Sequence, residues 1–444
     1  MAIEEAKRDV HGRADIEVQD RAGEECCSGD GAFLQCDEKL FSDLVAALSM
    51  VMDVEEERKL YHGWRVAALT GFASRAVAHD SEELLPIAFY AALLHDIGAA
   101  GLSDHMIHYP TLASQLAVPE IIAHPARGAE IILELPGMEA ASRMILEHHE
   151  YWNGIGYPAG KAGDEISLGA QIIRAADVFD LIVREKISGD PRDLRSEVLR
   201  RFEARSGEEL SPLVVRAIAD IVSSDSDGRF SALVNPEGLQ DLVNQMRHQM
   251  PSIEPTCRRG PLKTILTIFA KIIDAKHQYT AGHSERVARY SLIIGMQMGL
   301  KERELQLLEA SALLHDTGKV SVPRSVLDKK GSLAAEEISL IRRHASLTIE
   351  ILSLITRFED VAWIAGHHHE RYDGKGYPHG LKGDEIPLCS RIIAVADAYD
   401  AMTSTRPYQK TLSPSEAVGI LLKESGRQFD PSVVDAAVHS LPSL

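Results

Sequence analysis

The sequence predicts an all-α protein made of two tandem helical bundles that pack together as a pseudo-dimer. Apolar residues recur at three- and four-residue steps in both halves, whereas no stretch shows the sustained alternation typical of strands. The same motifs also occur twice in the same order. At 444 residues, the chain is long enough for two domains that each bury a core.

The repeat divides the chain into four parts: a tail, an N-terminal domain, a linker and a C-terminal domain, over residues 1–35, 36–222, 223–261 and 262–444. The tail is rich in Glu, Asp, Gly and Arg and lacks a hydrophobic period, so we expect it to be disordered. Within the linker, Leu239, Leu242 and Met246 lie at helical spacing and predict a connecting helix.

Composition excludes several classes of protein. The contents of 45% apolar and 25% charged residues are typical of a soluble globular chain. There is neither a long uncharged apolar run nor a secretory signal, so we expect a cytoplasmic protein without a membrane partner. A net charge of −19 argues against binding of a nucleic acid polymer. An anionic substrate would therefore need metal ions or a few local cations.

The helices are predicted by apolar stripes. The first is an amphipathic helix that begins near Leu40 and carries Phe41, Leu44, Val45, Leu48 and Val51. In the second half, a histidine shares the stripe formed by His283, Val287, Tyr290 and Ile294. The equivalent stripe of the first half is His62, Val66, Leu69 and Ala73. A single histidine on such a face is usually a core residue. Its recurrence at the equivalent position of both halves favours a functional role instead.

Histidine and aspartate recur in both halves at matched spacing. The second half contains His283, His315, Asp316, His344, His368, His369 and Asp397. The first half contains His62, His95, Asp96, His124, His148, His149 and Asp177. Six of the seven pairs are separated by 220 positions (for example 315 − 95), and the first pair by 221 (283 − 62). By this alignment, His367 is an additional histidine.

Residues of these types, repeated in this way, indicate metal ligands. Neutral imidazole suits Fe, Mn, Zn, Co or Ni, and one carboxylate can bridge two ions through its two oxygens. One partition assigns His283, His315, Asp316 and Asp397 to a first ion. The second ion would then take Asp316, His344, His368 and His369. Two adjacent ions can activate water for attack on a phosphodiester.

Longer motifs in the second half resemble the HD-GYP family of phosphodiesterases within the HD-domain metallohydrolases. The resemblance is carried by His315-Asp316 with Gly318-Lys319, the run from His368 to Pro378, Asp397 within residues 396–401, and Thr405-Arg406-Pro407-Tyr408. It implies an all-helical domain that hydrolyses cyclic dinucleotides, most often cyclic di-GMP, in bacterial signalling. It also implies a site with two or three divalent ions, with iron or manganese expected.

The resemblance also implies roles for individual residues. All seven positions of the second half become metal ligands, and Asp316 and Lys319 become catalytic, although a solvated surface lysine is the alternative for Lys319. The expected substrate-binding residues are Asp373, Gly376, Tyr377, Arg406 and Lys410, with helix capping as the alternative for the last two. Some family members hold a third metal through a glutamate one turn before the first histidine. Tyr279 occupies that position here, so two metals are favoured.

The first half keeps all seven ligand positions but departs from the family elsewhere. Ala99 replaces the lysine, Asn153 replaces the aspartate equivalent to Asp373, and no Arg-Pro-Tyr segment follows Asp177. We expect a degenerate domain that binds metal and turns over slowly or not at all. An active domain and a metal-free domain remain as alternatives.

The resulting hypothesis is a metal-dependent phosphodiesterase whose substrate is a cyclic dinucleotide, most often cyclic di-GMP in this family. Two other functions stay open: a phosphohydrolase of other nucleotides, and a non-catalytic cyclic-dinucleotide receptor or interaction platform. Signalling proteins and a second copy of the chain are further candidate partners.

Overall fold

Helices make up nearly all the regular structure in the computed structural model of the chain. The residues described are 38–54, 61–78, 84–100, 102, 109, 111–135, 137–186, 191–224, 228–249, 261–275, 282–329, 331–404 and 411–441. Within these ranges, β-pairing is limited to isolated bridges such as the one between Asn153 and Ala162. The predicted all-α class is confirmed.

The two halves contain matching series of helices. Helices α1–α9 of the first half are Glu38–Val54, His62–Val77, Leu84–Leu93, Leu112–Leu116, Pro119–Leu133, Glu139–Glu147, Leu168–Lys186, Pro191–Glu203 and Pro212–Ser223. Helices α10 and α11 of the linker are Arg229–Val234 and Pro236–Gln249. Helices α12–α20 of the second half are Pro261–Ala275, His283–Gln297, Glu302–Leu314, Arg324–Leu327, Ala335–Leu352, Glu359–Gly366, Leu388–Thr403, Pro414–Lys423 and Pro431–Ser440.

Short 3₁₀ turns follow the helices that lead to the His-Asp pairs. They are Ile97–Ala99 in the first half and Thr317–Ser321 in the second. The predicted stripe in α13 is buried, with His283 at one end of an otherwise apolar face. Helix α13 packs against α14 and α18, just as α2 packs against α3 and α7. Each half therefore brings its first histidine to the junction of three helices.

Helix α1 differs from the amphipathic helix that its sequence predicts. Every residue from Leu40 to Ser49 is buried, including the polar side chains of Ser42 and Asp43. One side of α1 packs against α2 and α3 of its own half, and it also contacts α12 and the Thr317–Ser321 turn of the other half. The second half and the linker helix α11 therefore both contact α1 beyond its apolar face.

The linker helices lie on the first half and help join the two halves. Helices α10 and α11 pack against α2, and Leu239 and Met246 of α11 are buried. Arg247 of α11 forms an ion pair with Asp43 of α1. The other oxygen of Asp43 accepts a hydrogen bond of 3.1 Å from the backbone N–H of Thr356. These contacts confirm that the two bundles pack against each other.

Some sequence-based predictions fall outside the described residues. These are the tail over residues 1–35 and the residues Tyr279, Arg406 and Lys410. The predicted domain boundaries remain a proposal. Among the described helices, none combines the length and apolar character needed to span a membrane.

Candidate metal centre

The predicted ligands of the second half converge in space although they are spread over more than a hundred residues of sequence. Two groups with ligand atoms within 4.8 Å of one another are His283, His315, Asp397 and His344, His368, His369. A further group of this kind joins His315 and His368 through Asp316. The structure therefore brings together all seven predicted positions.

Asp316 lies between the two groups of histidines. Its Oδ2 is 3.4 Å from Nε2 of His315 and 3.7 Å from Nε2 of His283. Its Oδ1 is 3.6 Å from Nε2 of His344 and 3.8 Å from Nε2 of His368. Each carboxylate oxygen faces a different group, as a ligand that bridges two ions requires. This geometry supports the predicted partition of the ligands.

Gly318 allows the His-Asp turn to approach the helix that carries His344. A Cβ on Gly318 would lie 2.0 Å from the backbone oxygen of His344, so no other residue fits without a shift of the backbone. The N–H of Gly318 donates to Oγ1 of Thr348 at 2.9 Å, and that hydroxyl donates to the backbone oxygen of His315 at 3.2 Å. The glycine therefore fixes the spacing between Asp316 and His344.

Backbone carbonyls orient three of the imidazoles. Nδ1 of His315, His344 and His368 donates at 2.6–2.7 Å to the carbonyl three residues earlier, in Ala312, Ile341 and Ala365 respectively. Because a neutral imidazole carries one N–H, these bonds leave the lone pair on Nε2. In each case Nε2 is the nitrogen that faces Asp316.

His283 is oriented by a carboxylate that the sequence analysis did not assign to the site. Its Nδ1 donates to Oδ2 of Asp400 at 2.7 Å, and Nε of Arg286 donates to Oδ1 of Asp400 at 2.6 Å. Carboxylates that hold a ligating histidine in this way raise its basicity and fix its tautomer. Asp400 follows Asp397 by one helical turn, and this spacing was the available signal.

Asp400→Asn is expected to weaken metal binding by about 10- to 100-fold, because the amide loses the charge that polarises His283. The affinity for Mn²⁺ would be measured by titration of the metal-depleted protein. Asp435→Asn is a matched control, since its side chain is 78% exposed in α20. Equal affinities for the two variants would contradict a positioning role for Asp400.

The pKa shifts of the second half favour ligand-competent imidazoles. Burial lowers the pKa of His344 to about 4 and that of His369 to about 3, and it holds the pKa of His368 well below its usual value. These three side chains are therefore neutral near pH 7. Burial also lowers the pKa of His315, but the adjacent Asp316 carboxylate outweighs it and raises the value to about 9. A divalent ion would displace that proton.

Two buried atoms of this cluster fit a cation. Within the described part of the chain, Nε2 of His315 and Oδ1 of Asp316 have no hydrogen-bond partner. Buried polar atoms are rarely left in this state, because their desolvation is not compensated. One cation in each of the two groups would supply the missing interactions, since His315 belongs to the first group and Oδ1 of Asp316 faces the second. The imidazole and carboxylate donors suit a divalent transition metal.

The other predicted site residues lie around the cluster. Nζ of Lys319 donates to Oδ2 of Asp316 at 2.5 Å, and the ring of Tyr377 lies 4.9 Å from that of His369. Gly376 is required by its loop, because a Cβ there would lie 2.3 Å from the backbone nitrogen of Arg371. The carboxylate of Asp373 accepts hydrogen bonds from Arg371 and from the N–H of Lys375, and its role in substrate binding stays a prediction.

His367 lies apart from the ligands, as the alignment of the repeats predicts. Its Nδ1 donates to the backbone oxygen of Trp363 at 2.5 Å, and its Nε2 lies 2.7 Å from Nδ1 of His379. The ring also packs against Trp363 at a tilt, with centroids 4.0 Å apart. His368 and His369 therefore supply the pair that faces the cluster.

The first half forms a similar cluster around Asp96. Its two groups of potential ligands are His62, His95, Asp96 and Asp96, His124, His148, His149. Oδ1 of Asp96 is 3.5 Å from Nε2 of His124, and Oδ2 is 3.5 Å from Nε2 of His62. Asp180 takes the role of Asp400 and accepts from Nδ1 of His62 at 2.7 Å. The clusters differ most around Asp177.

Comparison with known proteins gives the family of the chain. The profile of the HD domain family matches residues 40–207 and 267–433, which include both clusters. The chain belongs to the HD domain family. The two matched segments agree with the predicted tandem repeat.

Named relatives are phosphodiesterases of cyclic dinucleotides. The 3′3′-cGAMP-specific phosphodiesterase 3 of Vibrio cholerae is 36% identical over 72% of this chain and 66% of its own length. A cyclic di-GMP phosphodiesterase response regulator of Xanthomonas campestris is 42% identical over 40% of this chain and 48% of its own length. The chain thus spans about two thirds of the first relative and half of the second.

A solved structure covers almost the whole chain. The crystal structure of a cyclic GMP-AMP specific phosphodiesterase of V. cholerae matches 91% of this chain and 98% of its own, with a TM-score of 0.64 and 28% identity. The fold and the relatives together confirm the predicted membership of the HD-GYP phosphodiesterases.

Proposed function

We propose that the second half hydrolyses a cyclic dinucleotide with two divalent ions, held by Asp316 and the six other predicted ligands around it. The observation that carries the proposal is the placement of Asp316, whose two oxygens face separate groups of imidazoles. The unsatisfied atoms His315 Nε2 and Asp316 Oδ1 support it. The activities named for the relatives supply the class of substrate.

Different side chains have different roles in the proposed reaction. When bound, two divalent ions would supply activation of the attacking water and orientation of the phosphodiester, and the seven predicted ligands would hold them. Asp316 holds both ion sites at a fixed separation, and the carbonyl-bound histidines keep their Nε2 atoms directed inward. The Tyr377 ring packs against His369 and closes one side of the cluster. We expect iron or manganese, since both accept nitrogen and oxygen donors.

Lys319 is the proposed cation for the phosphate or the leaving oxygen. It lies within reach of the cluster, because its Nζ contacts Asp316, and its side chain keeps 23% of its exposure. Arg406 and Lys410 are proposed to contact substrate phosphates, on the basis of the sequence alone.

Lys319→Ala is expected to lower kcat by about 100-fold, because a cation that stabilises developing charge is lost. Bound metal, counted in parallel by elemental analysis, should stay within error of the wild-type value. Lys329→Ala is the matched control, since Lys329 pairs with Glu337 at the surface. A solvated surface lysine at position 319 would instead make the two variants equal in kcat.

Cyclic GMP-AMP is the substrate that we propose, in place of the cyclic di-GMP expected from sequence. The comparisons that cover 72% and 91% of this chain both name cyclic GMP-AMP, whereas the relative named for cyclic di-GMP covers 40%. The deciding experiment measures kcat/KM for 3′3′-cGAMP and for cyclic di-GMP with protein reconstituted anaerobically with iron or manganese. A higher value for cyclic di-GMP would overturn the choice of substrate. Binding without turnover of either would favour a receptor.

A further inference from the structure

A buried arginine enters the cluster of the first half. Nη1 of Arg174 donates to Oδ2 of Asp177 at 2.9 Å and to Nδ1 of His149 at 3.3 Å. Its Nη2 donates to the hydroxyl of Tyr151 at 3.4 Å, and its Nε donates to Glu209 at 3.1 Å. The guanidinium is held on all sides, so its charge is fixed beside two of the predicted metal ligands.

The bond to His149 changes which ring nitrogen can bind a metal. A guanidinium can only donate, so Nδ1 of His149 must accept, and the proton of the neutral ring is then on Nε2. The other histidines of this cluster show the opposite pattern, since Nδ1 of His124 and of His148 donates to a carbonyl at 2.6 Å. Nε2 of His149 is buried and has no hydrogen-bond partner among the described residues. Arg174 therefore removes the lone pair that an ion would need.

Arg174 also weakens Asp177 as a metal ligand, but by its charge. An ion pair with a permanently charged guanidinium offsets the negative charge that would attract a metal, and a divalent ion beside Arg174 would be repelled. In the second half the equivalent residue is Ala394, and Oδ1 of Asp397 lies 3.4 Å from Nε2 of His283. Asp177 also keeps one oxygen 3.9 Å from Nε2 of His62, so the difference between the halves is the arginine that pairs with its other oxygen.

The positions around Arg174 have changed together. Glu209 accepts from Arg174 in the first half, and the aligned residue of the second half is the neutral Gln428. Tyr151 is replaced by Arg371, which donates to Asp373 and to Gln428 rather than to a ligand. Arginine and its acidic partner are present in one half, and alanine with glutamine in the other. Arg174 and Glu209 therefore occur together as one charged pair.

We infer that Arg174 takes the place of one divalent ion in the first half, which therefore holds one ion fewer than the second. The remaining ion would be bound by Asp96 with His62 and His95, which form a group of potential ligands that includes neither His149 nor Asp177. A single ion cannot clamp both the attacking and the leaving oxygen. This inference rests on the proposed two-metal site of the second half.

The test counts manganese in the full chain. Each variant is depleted of metal, reconstituted with Mn²⁺, freed of excess ions and measured by elemental analysis. Arg174→Gln should raise the count by about one ion per chain, whereas Arg174→Lys should leave it unchanged because it retains a cation. Glu209 keeps a partner in both variants, since Nε of Arg205 donates to its second oxygen at 3.0 Å. Circular dichroism checks that each variant is folded.

The reciprocal exchange guards against a variant that does not fold. Ala394→Arg combined with Gln428→Glu introduces the same arginine and acidic partner into the second half. This double variant should bind about one manganese ion fewer per chain and lose turnover. Asp316→Ala tests the proposed function separately, because it should release the ions of the second half. If Asp316→Ala lowers the count but neither Arg174→Gln nor the exchange changes it, the inference is overturned. If Asp316→Ala has no effect on the count, the proposed function fails instead.

Discussion

Asp316→Ala is expected to lower cyclic-dinucleotide turnover by about 1,000-fold or more. Its two oxygens face the two groups of imidazoles, so one substitution removes a ligand from both proposed ions and the charge that holds them together. Turnover would be measured at saturating substrate with anaerobically reconstituted protein, and bound metal would be counted in the same samples. Both quantities should fall together.

The control substitutions separate the two halves of the chain. Asp96→Ala removes the equivalent carboxylate of the first half and should leave most of the turnover, because the proposed catalytic ions are not bound there. Asp435→Ala alters an exposed carboxylate and should have no effect. Turnover that is lost in Asp96→Ala and retained in Asp316→Ala would place catalysis in the first half. Thermal unfolding checks that both variants remain folded.

The ligands could be predicted from the sequence because their side-chain types and spacing occur twice. Seven positions repeat along the chain, and helical periodicity places His283 and His315 on buried faces. Convergence of the two groups on Asp316 follows from the fold, but a bridging role for that carboxylate was already suggested by its chemistry. The contact of Arg371 with Asp373, a predicted substrate-binding residue, could not be read from the motif, because a motif position does not show which side chains will pair.

Contacts between distant residues could not be predicted in this way. Periodicity predicts one apolar face for α1, but Ser42 and Asp43 are buried and contact Arg247 of α11, and Asp43 also contacts Thr356 of the second half. The role of Asp400 depends on the direction of the His283 ring. Arg174 aligns with an alanine, and only the structure shows that its guanidinium reaches both His149 and Asp177. The position of a charged residue along a helix does not show which distant residue it will contact.

Gly318→Ala is expected to destabilise the second half by about 3 kcal/mol or more, since overpacking against a rigid backbone is costly. The added Cβ would lie 2.0 Å from the backbone oxygen of His344 and 2.8 Å from the backbone nitrogen of Thr348. This clash is relieved only if the Thr317–Ser321 turn moves away from α16, and that movement takes His344 away from Asp316. Chemical denaturation measures the loss of stability, and metal content measures the loss of the site.

Gly419→Ala is the control that separates the effect of the steric clash from the effect of replacing glycine with alanine. Gly419 lies inside α19, and a Cβ there would meet nothing within 4 Å. Alanine at an open helical position should stabilise by about 0.5–1 kcal/mol, because it lowers the entropy of the unfolded chain. The two substitutions therefore have opposite predicted signs for the same chemical change. A Gly318→Ala protein that is as stable as Gly419→Ala and keeps its full metal content would show that the turn does not set the distance between Asp316 and His344.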